Sequence, residues 1–366
     1  MARFLLCHAP FGSGHTVAKE AIEEAIRERD TDAEIISINV FSYLPSWAEK
    51  AMIRFYLWIL AHCPSLYRWS YRAGNARCGS TLLMRFIASL MRARLADDIC
   101  RHRPDTIVCT HAVPARLAGE LVCRGEIGMI VIAVVTDHVV HRMWMHRGVT
   151  RYFVAHEGLV GRFASCGMAD ADITVSGIPV RAQFCLRGSM REGNRILVMG
   201  GGMGLMSLEP ILRAAERIDA PVIVHIITGS EAARRRTLET AQQYSCEMIV
   251  DGYNPYVADA MRRASVLITK AGGVSVAEAM AIGIPLILFG SLAGQEEGNT
   301  EFLKQSGAAL TADNEEELYQ SLSDILRGKD AVSRMLAVQA ELGRPYAART
   351  IAESICQMIK QKMAVE

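Results

Sequence analysis

The chain has 366 residues, which is enough for two domains that each bury their own core. Its formal net charge is +1 and charged residues make up only 22%, so the overall charge does not indicate a nucleic-acid-binding protein. Hydrophobic residues reach 51%, yet no apolar run approaches the roughly 20 residues of a membrane-spanning helix. The ten cysteines form no C-x-x-C pair and the amino terminus does not resemble a signal peptide, so we expect a cytoplasmic protein.

The first predicted unit is a strand at Phe4–His8, a glycine loop at Gly12–His15 and a helix that ends near Arg29. The loop is not a Walker A motif, because no Gly-Lys-Ser/Thr follows the glycines. The helix is predicted from about Thr16, so His15 lies at its amino terminus, where the positive helix end disfavours an imidazolium ion. We therefore expect a neutral ring that can accept a proton near pH 7. The alternative is a histidine that only caps the helix.

The segment 41–96 combines basic and aromatic residues. It contains eight Lys/Arg residues, the single acid Glu49 and three of the four tryptophans of the chain. Basic charge mixed with Trp and Tyr, on helices too short to span a bilayer, is typical of a surface that contacts anionic lipid headgroups. We expect residues 41–96 to bind the membrane surface. A buried, Arg-rich insertion or an oligomer interface is the alternative.

Two further buried strands are predicted at Thr106–Thr110 and Met129–Thr136. Asp137 comes directly after the second of them and opens the block T-D-H-V-V-H-R-M-W-M-H. Open α/β sheets bind ligands at the carboxyl ends of their parallel strands, so Asp137 is expected at a ligand-binding edge.

The same block contains three histidines, His138, His141 and His146. They could be metal ligands, but no thiolate or carboxylate set completes the site, so a loop of polar contacts is favoured and no metal is predicted. Nine of the ten histidines precede Arg181, which indicates that proton chemistry belongs to this half of the chain.

The irregular, polar stretch Gly177–Asn194 indicates an interdomain linker. A second α/β series follows, beginning with a strand at Arg195–Met199 and the glycine-rich sequence Gly200–Gly204. This loop could bind a phosphate, although Leu205 replaces the third glycine of a dinucleotide fingerprint.

The most specific pattern lies between residues 265 and 309. A strand at Val266–Thr269, a small-residue turn at Ala271–Gly273 and a helix at Val274–Ile282, ended by Gly283, precede a second strand at Ile284–Phe289. A strand, a glycine turn and a helix amino terminus together bind anions, because free backbone N–H groups and the helix dipole face the ligand.

Four polar side chains follow this turn. Glu278, one turn into the helix, is placed to accept hydroxyl groups of a ribose, and Gln295, Glu296 and Asn299 offer the donors and acceptors that a sugar needs. An ordinary βαβ unit with polar loops would show the same spacing.

Several motifs occur in the order found in a known family. They are G-S-G-H at Gly12–His15, T-D…H…W-x-H at Thr136–His146, G-I-P at Gly177–Pro179, the glycine loop at Gly200 and T-K-A-G…E-A…G-x-P…G-Q-E-x-G-N from Thr269 to Asn299. Together they resemble the monogalactosyldiacylglycerol synthases and the bacterial processive diacylglycerol glucosyltransferases. More distantly, they resemble the lipid II-forming N-acetylglucosaminyltransferase.

The resemblance implies a GT-B fold, in which two Rossmann-like, doubly wound α/β domains face a cleft. Residues 1–180 would bind the lipid acceptor and the membrane, and residues 181–344 would bind a UDP-sugar. A helix at 345–366 would follow and could pack back on the first domain. The resemblance also implies inversion at the anomeric carbon, with no cofactor and no essential metal.

The resemblance further implies roles for individual residues. Asp137 or His15 would be the base that deprotonates the acceptor, with Asp137 slightly preferred. The backbone of Gly272–Ser275 would hold the diphosphate, Glu278 the ribose, and the polar group after the second strand the hexose. The complete donor set is Gly14, Gly201, Gly202, Tyr253, Gly272, Gly273, Val274, Ser275, Glu278, Gln295, Glu296 and Asn299.

The expected function is therefore transfer of glucose or galactose from a UDP-hexose to diacylglycerol or a glycosyldiacylglycerol, at the inner face of the cell membrane. Three alternatives remain open at this point. They are an N-acetylglucosaminyltransferase with a polyprenyl-linked acceptor, a UDP-sugar epimerase on the same fold, and a non-catalytic UDP-sugar-binding membrane scaffold.

Overall fold

The computed structural model describes residues 2–76, 82–168, 171–186, 188, 190–200, 206–328 and 330–365. The chain forms two compact units. The amino-terminal unit comprises Met1–Ala182 and Tyr346–Glu366, and the carboxy-terminal unit comprises Gln183–Pro345. Each unit contains one parallel six-stranded sheet with flanking helices, so the predicted pair of doubly wound α/β domains is confirmed.

The amino-terminal sheet has the strand order β2-β1-β3-β4-β5-β6. Phe4–Cys7 of β1 are buried without alternation, as expected where helices cover both faces of a parallel sheet. The strands are β1 (Arg3–His8), β2 (Glu34–Asn39), β3 (Thr106–Cys109), β4 (Ile130–Val134), β5 (Arg151–Val154) and β6 (Ile173–Val175). The helices are α1 (Gly14–Arg29), α2 (Ser46–His62), α3 (Pro64–Ala76), α4 (Leu82–His102), α5 (Ala112–Cys123) and α6 (Val160–Ser165).

The carboxy-terminal sheet has the order β12-β11-β10-β7-β8-β9. Its strands are β7 (Arg195–Met199), β8 (Ile223–Ile227), β9 (Glu247–Asp251), β10 (Val266–Thr269), β11 (Leu286–Phe289) and β12 (Leu310–Ala312). Its helices are α7 (Glu209–Glu216), α8 (Glu231–Ala241), α9 (Val257–Arg263), α10 (Gly273–Ile282), α11 (Gln295–Ser306), α12 (Glu315–Leu326) and α13 (Asp330–Leu342).

The predicted boundaries around α10 are largely confirmed. Gly283 ends the helix with φ at 81°, a conformation that glycine adopts without strain. The following strand was expected from Ile284 but begins at Leu286. Pro285 has no N–H to donate to the ladder, although its carbonyl accepts the Leu267 N–H at 2.9 Å.

The last helix, α14 (Ala347–Val365), packs against α1. Ile351 and Ile355 of α14 join Ile22 and Ile26 of α1 in the core of the amino-terminal unit. Ion pairs between Arg29 and Glu353 and between Arg349 and Glu28 link the same two helices. Among the residues that the structure describes, no helix is long and apolar enough to cross a membrane.

Candidate active site

The loops after β1, β3 and β4 meet at one edge of the amino-terminal sheet, because these three strands are parallel neighbours. The loop after β1 carries the glycines and leads to His15. The strand β3 is followed by Thr110 and His111, and β4 is followed by Thr136 and Asp137. Side chains from three distant parts of the sequence therefore converge here.

Two neighbours fix the ring of His15 in the first turn of α1. Its Nδ1 atom lies 2.8 Å from the Thr110 carbonyl oxygen and 2.9 Å from Thr136 Oγ1. Because a carbonyl oxygen can only accept, Nδ1 carries the proton and the lone pair of the neutral ring is on Nε2. The Thr110 hydroxyl donates in turn to the His15 carbonyl at 2.9 Å. His15 thus offers Nε2 as its acceptor atom.

Burial lowers the pKa of His15 to about 4, and the Thr110 carbonyl only partly opposes this effect. The ring is neutral near pH 7, as predicted, but the main cause is desolvation rather than the helix end. Burial also lowers the pKa of His111, whose ring centroid lies 4.7 Å from that of His15, and the pKa of His8. Three neutral imidazoles therefore lie at this edge.

Asp137 lies in the loop after β4. It follows Thr136, whose hydroxyl contacts the His15 ring, and its side chain is half-buried. Burial raises the pKa of Tyr67 and of Tyr71 on α3, and the negative charge of Asp137 raises both further. The structure thus places both predicted catalytic residues at one edge of the sheet, with two phenols of α3 close to the carboxylate.

The remaining histidines of this block make structural contacts. His141 Nδ1 accepts the Met143 N–H at 3.1 Å, and its Nε2 donates to the Tyr71 carbonyl at 2.9 Å. His146 Nδ1 accepts the Gly148 N–H at 3.2 Å, while His138 is buried. Within the described ranges, no three His, Cys, Asp or Glu side chains are grouped so as to hold a metal ion.

In the carboxy-terminal unit, the turn after β10 leads into α10 as the sequence predicted. Gly272 precedes the helix, and Gly273, Val274 and Ser275 form its first turn, where backbone N–H groups lack partners within the helix. A Cβ atom added to Gly272 would meet nothing within 4 Å, so open space borders the turn. These N–H groups can therefore donate to an anion that approaches from that side.

Helix α11 contacts this turn through a hydrogen bond and an ion pair. Asn299 is completely buried, and its Nδ2 donates to the Ala271 carbonyl at 2.9 Å. Lys270 Nζ lies 3.8 Å from Glu296 Oε1, and both side chains are largely buried. The Leu292 N–H donates to Glu296 Oε2 at 2.6 Å. In this conformation Asn299 and Glu296 hold the turn and its loop in place.

The other predicted donor residues are more widely spread. Gln295 begins α11, and Glu278 is buried on α10. Tyr253 is exposed after β9, three strand positions or about 14 Å from β10. Gly14 is the first residue of α1, in the amino-terminal unit. Gly201 and Gly202 lie outside the residues that the structure describes.

Three residues with clear roles in these arrangements were not assigned a role from the sequence. Thr110 and Thr136 fix the His15 ring, and Lys270 pairs with Glu296. Each follows the carboxyl end of a parallel strand. Applying the strand-end rule to every strand would have identified all three.

The helices α2 and α3 present aromatic side chains to solvent. Trp47, Trp58 and Trp69 are 74%, 52% and 68% exposed, and Phe55 on the outer face of α2 is exposed as well. Lys50 lies on the same face of α2, one turn after Trp47. Exposed tryptophans beside basic residues give this surface the composition of an interfacial helix pair.

Each half of the chain matches the sequence model of a known protein family. The sequence model of the monogalactosyldiacylglycerol (MGDG) synthase family matches residues 15–180, and that of the glycosyltransferase family 28 C-terminal domain matches residues 195–348. A processive diacylglycerol beta-glucosyltransferase from Bacillus pumilus is 25% identical over 368 residues, which cover 97% of this chain and 94% of the relative. The chain thus contains an MGDG synthase family domain followed by a glycosyltransferase family 28 C-terminal domain.

The chain also resembles solved structures in fold. Acinetobacter baumannii MurG has a TM-score of 0.65 at 14% identity, covering 98% of this chain and all of MurG. The UDP-GlcNAc 2-epimerase from Neisseria meningitidis, solved with UDP-GlcNAc, has a TM-score of 0.63 at 12% identity, covering 97% and 100% of the two chains. With the two parallel sheets, these likenesses confirm the GT-B fold. The two matching family domains and the similarity to a glucosyltransferase identify the protein as a glycosyltransferase.

Proposed function

We propose that this protein is an inverting transferase that moves a hexose from a UDP-sugar to the hydroxyl of diacylglycerol or a glycosyldiacylglycerol. The observation that carries the proposal is the pairing of His15 with the Thr136–Asp137 loop, inside the region that matches MGDG synthases. The chain-long likeness to a diacylglycerol glucosyltransferase supports the same acceptor. Because that relative is a glucosyltransferase, UDP-glucose is the first donor to test.

In the proposed reaction Asp137 is the general base. It takes the proton of the acceptor hydroxyl while the oxygen attacks the anomeric carbon and the bond from that carbon to UDP breaks. His15 is no stronger a base than an ordinary aspartate, because burial lowers its pKa to about 4. Its Nε2 lone pair is suited instead to accept a hydrogen bond from the hydroxyl and orient it. The pKa of His15 does not choose between the two residues, and we assign the base to Asp137 because the resemblance to the MGDG synthases slightly favours it.

The departing UDP carries negative charge, and fixed dipoles can stabilise it without a metal. The backbone N–H groups of Gly273, Val274 and Ser275 supply such dipoles at the start of α10. Lys270 adds a buried ammonium group directly before this turn. We assign the diphosphate to the turn, the ribose to Glu278 and the hexose to the first turn of α11, where Gln295 and Glu296 lie.

The acceptor is insoluble, so the protein must meet a bilayer. The exposed tryptophans of α2 and α3, with basic residues beside them, are suited to the interface of an anionic membrane. We therefore place the protein peripherally on the inner face of the cell membrane, with residues 41–96 in contact with lipid.

The test is the substitution Asp137→Asn, assayed for hexose transfer to diacylglycerol in vesicles. We expect turnover to fall by about a thousandfold or more, since an amide cannot accept the proton. UDP binding, measured by calorimetry, should be unchanged, because the diphosphate is assigned to the other unit. The substitution His15→Gln keeps a side-chain donor for the Thr110 carbonyl, and it should lower turnover far less than Asp137→Asn does. Undiminished transfer by the Asp137→Asn protein would exclude Asp137 as the base.

A further inference from the structure

Helix α3 has two faces with different surroundings. Leu66 and Trp69 are exposed on one side. Tyr67 and Tyr71, one turn apart, lie on the other side and are half-buried. One helix therefore offers an apolar surface to solvent and two phenols to the interior of the unit.

The inner face of α3 is hydrogen-bonded to the loop that contains Asp137. The Tyr71 carbonyl accepts a hydrogen bond from His141 Nε2 at 2.9 Å, and the rings of these two residues lie 4.6 Å apart. One turn later, Asn75 Oδ1 accepts the Arg142 N–H at 3.1 Å. A Cβ atom on Gly74 would already lie 3.4 Å from the His141 ring, so the helix and the loop approach closely.

Three tyrosine rings connect α2 with this loop. The centroids of Tyr56 and Tyr67 are 5.8 Å apart, and those of Tyr67 and Tyr71 are 6.4 Å apart. Burial raises the pKa of Tyr67 and Tyr71, and the Asp137 charge raises both further, so both phenols keep their protons at pH 7. The Tyr67 hydroxyl is also hydrogen-bonded to Tyr56, which raises its pKa more than Asp137 does, and a bound ester would take the place of this partner. The row thus combines apolar ring faces with hydroxyl groups that can donate hydrogen bonds, beside the candidate base.

This combination suits one kind of ligand. A diacylglycerol has a free hydroxyl to be deprotonated, two ester carbonyls that accept hydrogen bonds, and acyl chains that pack on aromatic rings. Phenols provide donors for the esters and apolar faces for the first carbons of the chains. A water-soluble acceptor would not require an aromatic row that begins beneath an exposed tryptophan surface.

We propose that α3 is the acceptor-binding helix, with Tyr67 and Tyr71 holding the glycerol esters so that the free hydroxyl reaches Asp137. Leu66 and Trp69 on the opposite face lie in the bilayer interface, so one helix both docks on the membrane and positions the lipid. This inference rests on the proposed function and adds to it the residues that select a diacyl glycerolipid.

The experiment uses the full chain with Tyr67→Phe and Tyr71→Phe, which remove only the hydroxyl groups. Transfer from UDP-glucose is measured while the mole fraction of diacylglycerol in vesicles is varied. Each substitution should raise the apparent KM for diacylglycerol about fivefold, as expected for one lost hydrogen bond. The KM for UDP-glucose and the binding to vesicles should stay unchanged.

Two matched variants separate the faces of the helix. Trp69→Ser should weaken vesicle binding while leaving the KM for diacylglycerol unchanged when surface-bound enzyme is compared. Tyr319→Phe, on α12 of the other unit, removes the hydroxyl of a ring that the Arg217 guanidinium covers, and it should change neither quantity.

The outcomes are distinguishable. If wild-type protein transfers hexose to diacylglycerol and both Phe variants keep the wild-type KM for this lipid, the inference is overturned and the proposed function stands. If the Phe variants also lose affinity for UDP-glucose or for vesicles, the tyrosines have a structural role and the inference is again overturned. If wild-type protein transfers nothing to diacylglycerol, the proposed function itself fails.

Discussion

The neutral state of His15 can be tested through the pH dependence of folding. In the folded protein burial lowers its pKa to about 4, against 6.5 in an unfolded chain. Between these values the unfolded chain binds a proton that the folded chain does not, so stability falls as the pH falls from about 6.5 to about 4. The difference corresponds to about 3 kcal/mol. Above pH 7 this group makes stability neither rise nor fall.

The perturbation is His15→Gln, which removes the titration and keeps a donor for the Thr110 carbonyl. Urea unfolding of both proteins is followed at several values between pH 8 and pH 4. All four tryptophans lie in the amino-terminal unit, so their fluorescence reports the unit that contains residue 15. Between pH 7 and pH 4 the variant should gain about 3 kcal/mol relative to wild type.

The comparison contains its own control, because the difference between the two proteins should be constant from pH 7 to pH 8. Burial also lowers the pKa of His8, His111 and His138 in both proteins. Removing His15 relieves a smaller charge effect on His8 and His111, which changes the stability of the variant in the same direction. Stability curves that run parallel down to pH 4 would show that His15 is solvated. The conclusion that His15 is buried and neutral, with a pKa of about 4, would then be wrong.

Three further predictions concern substitutions of individual residues or residue pairs. Asn299→Ala removes the hydrogen bond to the turn before α10, which should destabilise the carboxy-terminal unit by about 1–3 kcal/mol and weaken UDP binding in calorimetry. Gly148→Ala places a Cβ atom 2.0 Å from the Gly119 carbonyl oxygen and should cost about 3 kcal/mol in urea unfolding. Replacing both Trp58 and Trp69 with Ser should weaken vesicle sedimentation at least about tenfold, with unaltered UDP affinity.

The sequence predicted the parts of the fold that depend on local patterns. Apolar runs located the strands, and the turn at Ala271–Gly273 located the start of α10. Asp137 was placed at a ligand-binding edge because it ends a parallel strand. The composition of residues 41–96 indicated an interfacial surface, and the tryptophans of α2 and α3 are indeed exposed.

Contacts that depend on strand order were not predictable. Thr110 and Thr136 hold His15 only because β3 lies between β1 and β4, and sequence spacing does not reveal that order. The neutral state of His15 was predicted from the helix end, whereas burial is the main cause. Sequence spacing also could not show that the Asn299 side chain faces the protein interior instead of solvent. There its Nδ2 donates a hydrogen bond to the Ala271 carbonyl oxygen.

Transfer of a hexose to diacylglycerol by this protein can be tested directly. Purified protein would be incubated with vesicles of diacylglycerol and anionic lipid, with UDP-glucose, UDP-galactose and UDP-N-acetylglucosamine offered separately. Mass spectrometry of the lipid extract should show one hexose added to diacylglycerol, with UDP-glucose as the donor, and no product from the Asp137→Asn protein. The absence of glycosylated diacylglycerol with all three donors would contradict the proposed function.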